Sequence, residues 1–228
     1  VMCAGTKDDE IETFRALMNT YPSGILSVVS DTWDLWKVLT DYLPQLKDEV
    51  LAREGKLVIR PDSGDPVDII CGESKILDAK TPKDKGVVEL LWDIFGGTIN
   101  EQGFKVLDSH IGAIYGDSIT TQRAENICQR LHDKGFATTN VVLGIGSFTY
   151  QFNTRDTFGF AMKATSVVVN GERREIFKDP ITDDGVKKSA KGLIKVDKIN
   201  GEFVLVDQVT PEEENEGELQ IIYENGRC

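Results

Sequence analysis

The sequence predicts an α/β fold in which four βα units carry a parallel sheet and an antiparallel β-rich segment follows. Three observations lead there. Short apolar runs alternate with helix-period segments up to about residue 160. Each run ends in aspartate or in a glycine-rich turn. Beyond 160 the pattern changes to short strands separated by Asn170-Gly171, Asn200-Gly201 and Asn225-Gly226, which are hairpin signals. Parallel neighbours need crossovers, so successive βα units imply a parallel sheet. An open doubly wound sheet and part of an α/β barrel both fit, and in both the ligand site lies at the carboxyl ends of the strands. The expected division is 1–160 for the parallel part and 161–228 for the β-rich segment.

The elements follow in order. Ile11, Phe14, Leu17 and Met18 share one face of a helix over 8–19. Residues 24–30 read as a buried strand ending at Asp31. A helix from about residue 32 carries Trp33, Trp36, Leu39 and Tyr42, then meets Pro44, and a further helix runs to Gly55. The second strand is 56–60, closed by Pro-Asp-Ser-Gly-Asp-Pro. Residues 67–85 are mixed and polar and read as a surface excursion. Val87, Leu90, Leu91 and Ile94 place a helix over 86–95. A strand over 110–116, a helix over 120–134 and a strand over 140–144 complete the parallel part. Strands are expected over 165–172, 193–206 and 219–226, with the Glu-rich stretch at 212–218 a solvated turn.

Composition narrows the function. With 26 basic and 38 acidic residues the net charge is −12, which opposes nucleic-acid binding. No apolar run approaches the roughly 20 residues that span a bilayer. Cys3, Cys71, Cys128 and Cys228 form no CxxC pair, and His110 and His132 form no ligand cluster, so a structural zinc site is not expected. Scattered cysteines without a secretory leader predict free thiols in a reducing cytoplasm.

The chemistry gathers at the strand ends. These are Ser30-Asp31, Arg60-Pro-Asp62-Ser-Gly-Asp65, Tyr115-Gly116-Asp117 and Gly144-Ile-Gly146-Ser147. Asp31 by itself fits a helix N-cap, since a helix starts just after it. Three aspartates at equivalent positions converge on one rim, where they repel unless hydroxyls, a metal or a cation lie between them. The turn at Gly146 and Ser147 exposes backbone N–H groups suited to phosphate. Together these features point to a ribose-phosphate site with Mg²⁺. Arg60 closes an apolar strand, fitting either an internal ion pair or contact with a flat ligand ring. Arg155 and Lys163 follow the glycine-rich turn and could meet a polyphosphate. Lys188 and Lys191 read as solvated surface.

The segments Ser27-Val-Val-Ser-Asp31, Ile59-Arg-Pro-Asp-Ser-Gly-Asp-Pro66, Tyr115-Gly-Asp117 and Phe177-Lys-Asp-Pro180 resemble the nicotinamide branch of the type II phosphoribosyltransferase family across nearly the whole chain. Pro61 stands where the related nicotinate enzymes typically carry leucine. The resemblance implies a seven-stranded barrel-like α/β domain, here partial, with an added β-rich part. It implies transfer of phosphoribosyl from phosphoribosyl pyrophosphate to nicotinamide, giving nicotinamide mononucleotide and pyrophosphate. Mg²⁺, ATP and a homodimer with shared active sites are implied as well.

Carried over by position, Asp31 and Asp62 would serve Mg²⁺, ribose and ring positioning, and Arg60 the ribose or nicotinamide. Gly116 and Asp117 would hold the ribose, and Gly146 and Ser147 the 5′-phosphate. Arg155, Lys163, Lys178 and Lys187 would bind pyrophosphate or ATP phosphates, the first two from a partner subunit. Departures from the family pattern are the turn Gly-Ile-Gly-Ser-Phe and Ala161 in place of a serine. The family's phosphorylated histidine would fall just before Val1, so this segment is expected to be inactive by itself. The alternatives are a nicotinate enzyme and a non-catalytic nucleotide-binding or dimerisation module.

Overall fold

The structure is a computed structural model and describes residues 2–73, 81–146, 148–151, 153, 156–158, 162–182 and 188–227. A 3₁₀ turn (Met2–Ala4) leads into α1 (Glu10–Thr20), which buries Phe14 and Met18. Strand β1 (Ser23–Val29) follows. Then α2 (Leu35–Lys37), a π-helical stretch (Val38–Tyr42) and α3 (Leu43–Leu51) run on without interruption. Next come β2 (Glu54–Arg60), α4 (Pro66–Cys71) and α5 (Pro82–Phe95). A small hairpin of β3 (Gly97–Ile99) and β4 (Lys105–Leu107) precedes β5 (Ile111–Tyr115), α6 (Thr121–Asp133), β6 (Val141–Leu143) and α7 (Phe148–Gln151). The last part holds the hairpins β7 (Ser166–Val169) with β8 (Glu172–Glu175) and β9 (Leu193–Ile199) with β10 (Glu202–Val209), then α8 (Pro211–Glu214).

The sheet is parallel, four-stranded and ordered β1-β2-β5-β6. Register puts Leu26 and Val28 beside Leu57 and Ile59, and these beside Ile111 and Ala113. That face is buried against the helices in one continuous core. The opposite face carries Ile25, Arg60 and Val142, all exposed. The strand order follows the chain with no reversal, and β1 and β6 are open edges. Among the described residues the sheet does not close.

Several elements differ from expectation for local reasons. Pro44 does not break the helix. It lacks an N–H and its ring would strike the Thr40 carbonyl. The π-helical stretch opens the ladder just ahead of it, with Leu43 N–H reaching back to Val38 O. The polar stretch from residue 67 begins with a buried helix, α4, whose Val67, Ile69, Ile70 and Cys71 lie in the core. Asp65 caps it by accepting from Val67 N and Asp68 N at 2.9 and 3.2 Å. Six residues are too few to show a helical period. Helix α5 starts earlier than expected, at a Thr81/Asp84 capping box, and bends at Gly86 (φ 77°). A Cβ there would lie 2.2 Å from Gly72 N, where α4 and α5 cross. The strand expected over 219–226 is absent. Leu219, Ile221, Ile222 and Tyr223 are exposed, and only an isolated Glu224–Arg227 bridge closes the Asn225-Gly226 turn. No helix among the described residues is long and apolar enough to cross a membrane.

Glu10 is anomalous within this frame. It is 2% exposed, and its Oε1 has no hydrogen-bond partner among the described residues. Burial, reinforced by the Asp34 and Asp31 charges and opposed by Lys37 and Lys7, pushes its carboxyl up to about 7. The folded state therefore holds this proton at pH values where an unfolded chain has released it. That stabilisation is complete below the ordinary glutamate value and is lost as pH rises through 7. Urea unfolding of Glu10→Gln should show a stability gain over the parent at pH 8 that shrinks at pH 5. A gain independent of pH would contradict the assignment.

Candidate active site

The end of β1 is built around a buried carboxylate. Ser30 N–H donates to Arg60 O at 3.0 Å, which ties the ends of β1 and β2 together. The next residue, Asp31, is fully buried. Its Oδ2 accepts from Asp62 N–H at 2.9 Å and from the Ser63 hydroxyl. Lys178 Nζ stands 3.6 Å from its Oδ1. Asp31 is thus not the helix cap. Asp34 fills that role, accepting Lys37 N–H at 3.1 Å. A buried carboxylate needs charge-assisted donors or a counter-charge, and Asp31 takes donors from the turn at residues 62–63 and a counter-charge from Lys178.

The turn after β2 is fixed on every side. Asp62 N–H and the Ser63 side chain bind Asp31. Tyr115 O–H donates to Gly64 O at 2.8 Å. Asp65 caps α4. With its backbone held, the turn turns the Arg60 and Asp62 side chains outward, 45% and 32% exposed, Nη2 and Oδ1 3.9 Å apart. This is the ion pair of Arg60 among the described residues, and an exposed pair at that distance contributes little. Arg60 also lies on the uncovered face of the sheet, in register with Val29.

A strap from the β-rich segment crosses these strand ends. Asp179 N–H donates to Thr32 O at 3.2 Å and Ile181 N–H to Trp33 O at 3.1 Å. Phe177 meets Trp33 edge-on, with centroids 6.3 Å apart, and Lys191 lies over the other ring of this pair, Phe177, at 5.3 Å. Ser189 clasps Lys178 through two bonds, its hydroxyl accepting Lys178 N–H at 2.9 Å and its own N–H donating to Lys178 O at 3.0 Å. The strap delivers Lys178 to Asp31 at one end. At the other, Thr182 Oγ1 is 2.5 Å from Ser63 Oγ.

The remaining aspartates gather round Tyr115. Burial pushes its phenol far above the usual range, and the charges of Asp117, Asp31, Asp62 and Asp65 add to that, in this order. Each of these carboxylates is near enough to bear on Tyr115, and Lys178 and Arg60 are the cations at Asp31 and Asp62. Among the described residues nothing stands within 4 Å of where a Cβ would be at Gly116 or Gly146. The tight contact is at Gly144, where a Cβ would stand 2.7 Å from Gly116 Cα, and whose N–H donates to Tyr115 O at 2.8 Å. Lys163 is exposed in the chain before β7 and makes no ion pair with another described residue. Ser147, Arg155 and Lys187 lie outside the described residues, as does Cys228.

The donor set bears on Mg²⁺. Asp31 is enclosed by Asp62 N–H, Ser63 and Lys178, so it does not fit an ion that keeps several waters. Asp62 is the more open carboxylate. No group of three or more metal-type side chains forms among the described residues. His110 bonds Asp108 at 2.7 Å just before β5, at the far end of the sheet, and His132, on the last turn of α6, lies tilted against Phe104 with ring centroids 5.0 Å apart. Cys3, Cys71 and Cys128 are free thiols. Sequence reasoning missed Ser63, Thr182 and Tyr115 as parts of this rim. Only Ser63 and Tyr115 carried a signal, being inside the strand-end motifs.

The nicotinate phosphoribosyltransferase (NAPRTase) family matches residues 1–216. The chain belongs to this family. Among curated relatives, the nicotinamide phosphoribosyltransferase of Acinetobacter baylyi is 55% identical over 234 residues, covering 100% of this chain and 46% of the relative. That of Mycoplasma pneumoniae is 44% identical over 186 residues, 80% of this chain and 40% of the relative. That of Xanthomonas campestris pv. campestris is 34% identical over 229 residues, 97% of this chain and 46% of the relative. The chain thus spans about half the length of the curated relatives it matches.

The two glycines after β6 should respond differently to substitution. Gly144→Ala forces backbone against backbone at Gly116 and should cost about 1–3 kcal/mol of stability. Gly146→Ala enters open space and should leave stability within about 0.5 kcal/mol. Equal midpoints for the two variants in denaturant unfolding would contradict this account of the turn.

Proposed function

We propose that this chain is the phosphoribosyl-binding part of an enzyme that joins nicotinamide to phosphoribosyl pyrophosphate. The products are nicotinamide mononucleotide and pyrophosphate, a step of NAD biosynthesis. The observation that carries the reading is the gathering of Arg60, Asp62 and Lys178 at the fixed ends of β1 and β2, on the rim that Asp117 shares. The relatives' names, all nicotinamide phosphoribosyltransferases, favour the amide over the acid, as does Pro61.

In this reading the pyrophosphate leaves the ribose C1 with its bonding pair, and the ring nitrogen of nicotinamide supplies the new bond. Positive charge develops on the ribose, and Asp62 stabilises it. Gly116 and Asp117 hold the ribose hydroxyls, and the turn at Gly146 and Ser147 takes the 5′-phosphate on its backbone. Arg60 contacts the ribose or the nicotinamide ring. Lys178, braced by Asp31, presents its remaining N–H donors to pyrophosphate, joined by Lys187 and, from a partner subunit, Arg155 and Lys163. Asp62 is the carboxylate here that would hold Mg²⁺, which would supply charge neutralisation for the pyrophosphate, Asp31 remaining behind as a brace. ATP use and a homodimer with shared sites belong to the same proposal.

The sheet is read as part of a barrel. Support comes from strand order without reversal and from the face bearing Ile25, Arg60 and Val142, which closure would cover. Residues 1–160 and 161–228 then make the barrel part and the β-rich part of one catalytic half. Free thiols fit a cytoplasmic enzyme.

Two measurements test this. In an active longer chain, Asp62→Asn should lower kcat by roughly 10²–10³ with little change in thermal midpoint. Parental turnover at saturating substrates and Mg²⁺ would remove Asp62 from the mechanism. Residues 1–228 assayed with nicotinamide, phosphoribosyl pyrophosphate, Mg²⁺ and ATP should form no mononucleotide until the other half of the enzyme is added, because the reacting groups must converge in one pocket. Turnover by the segment alone would contradict the proposal.

A further inference from the structure

We infer that Thr182 is a positioning residue for the phosphoribosyl site, acting through Ser63 and Asp31 to hold the turn that presents Arg60 and Asp62. This rests on the functional reading above. The direction of the hydrogen bonds follows from chemistry. A carboxylate only accepts, so the Ser63 hydroxyl donates its one proton to Asp31 Oδ2. Ser63 Oγ then has only lone pairs to offer, and the Thr182 hydroxyl, 2.5 Å away, is the donor. The result is a directed chain, Thr182 to Ser63 to Asp31, in which each bond polarises the next.

The same Asp31 oxygen accepts the Asp62 backbone N–H at 2.9 Å. Whatever sets the position of this carboxylate therefore sets the backbone of Asp62. The strap grips Asp31 twice, directly through Lys178 at 3.6 Å and indirectly through Thr182. Between the grips its backbone is bonded to Thr32 O and Trp33 O. The contact is also close on the other side, since a Cβ on Gly64 would stand 2.8 Å from Thr182 O. The turn is thus wedged between Asp31 and the strap. Lys178 and Asp62 are held in fixed relation although they come from distant segments. Thr182 touches no reacting atom in this reading. Its effect is on where Asp62 and Lys178 stand.

The test compares Thr182→Val, Thr182→Ser and Ser63→Ala in the longer enzyme chain. Valine keeps the shape and removes the donor, and serine restores it. Thr182→Val should lower kcat/KM for phosphoribosyl pyrophosphate about tenfold, the effect of losing one net hydrogen bond. Amide exchange at residues 62–64 should quicken while exchange in β1 and β2 holds. Thr182→Ser should recover both. Adding Thr182→Val to Ser63→Ala should change neither further, because the chain is already cut. Parental kinetics and exchange in Thr182→Val would overturn the inference, and so would effects that add to those of Ser63→Ala. If Ser63→Ala does not fold, the valine–serine comparison decides. If the parent enzyme makes no mononucleotide, the functional reading fails. The exchange experiment then decides the hydroxyl chain separately, and unchanged exchange at 62–64 would overturn it.

Discussion

Taking a carboxylate wholly out of water costs several kcal/mol unless donors replace the lost hydration. Asp31 is in that position, and its compensation comes from two places: the turn after β2 donates the Asp62 N–H and the Ser63 hydroxyl, and the β-rich segment brings the Lys178 charge. Strands β1 and β2 place Asp31 beside the turn, where Asp62 N–H and the Ser63 hydroxyl both reach Oδ2. The strap brings the Lys178 charge to Oδ1, which has no hydrogen bond among the described residues. One buried charge thereby couples the parallel sheet to the antiparallel part. A weak surface ion pair could not do this, because solvent would compete for both partners.

The glycines act in the same region by a different means. Gly144 lets β6 approach the end of β5 more closely than any side chain allows, and Gly116 leaves open space beside it. The glycine-rich turn therefore has two separate tasks. Gly144 closes the backbone, and Gly146 leaves space. In the proposed reading, backbone donors at this turn, the carboxylates and a lysine would serve a sugar phosphate together, whereas carboxylates alone would repel it.

Much of this was legible in the sequence. The four parallel strands are apolar runs of the right length, and the hairpins at Asn170-Gly171 and Asn200-Gly201 form where their turns predict. The losses have physical causes. Helix α4 is too short to display a period, and the π-helical stretch is an answer to Pro44 that only the folded helix reveals. Leu219 to Tyr223 have β-propensity without a strand partner, and propensity in strands is mostly packing. Asp31 looked like a cap because its neighbours in sequence form a helix. Its partners Ser63 and Lys178 are remote, and Thr182 lies 119 residues from Ser63. No local pattern encodes a contact of that kind.

The most direct test of the whole account is a crystal structure of the longer enzyme chain with nicotinamide mononucleotide and pyrophosphate bound. The account predicts the 5′-phosphate against the turn at Gly146, the ribose beside Gly116 and Asp117, and Arg60 and Asp62 at the ligand. Asp31 should remain hydrogen-bonded to Ser63 and paired with Lys178 without touching the mononucleotide. A ligand bound away from these strand ends, or Asp31 released from Ser63 to contact it, would contradict the central claim.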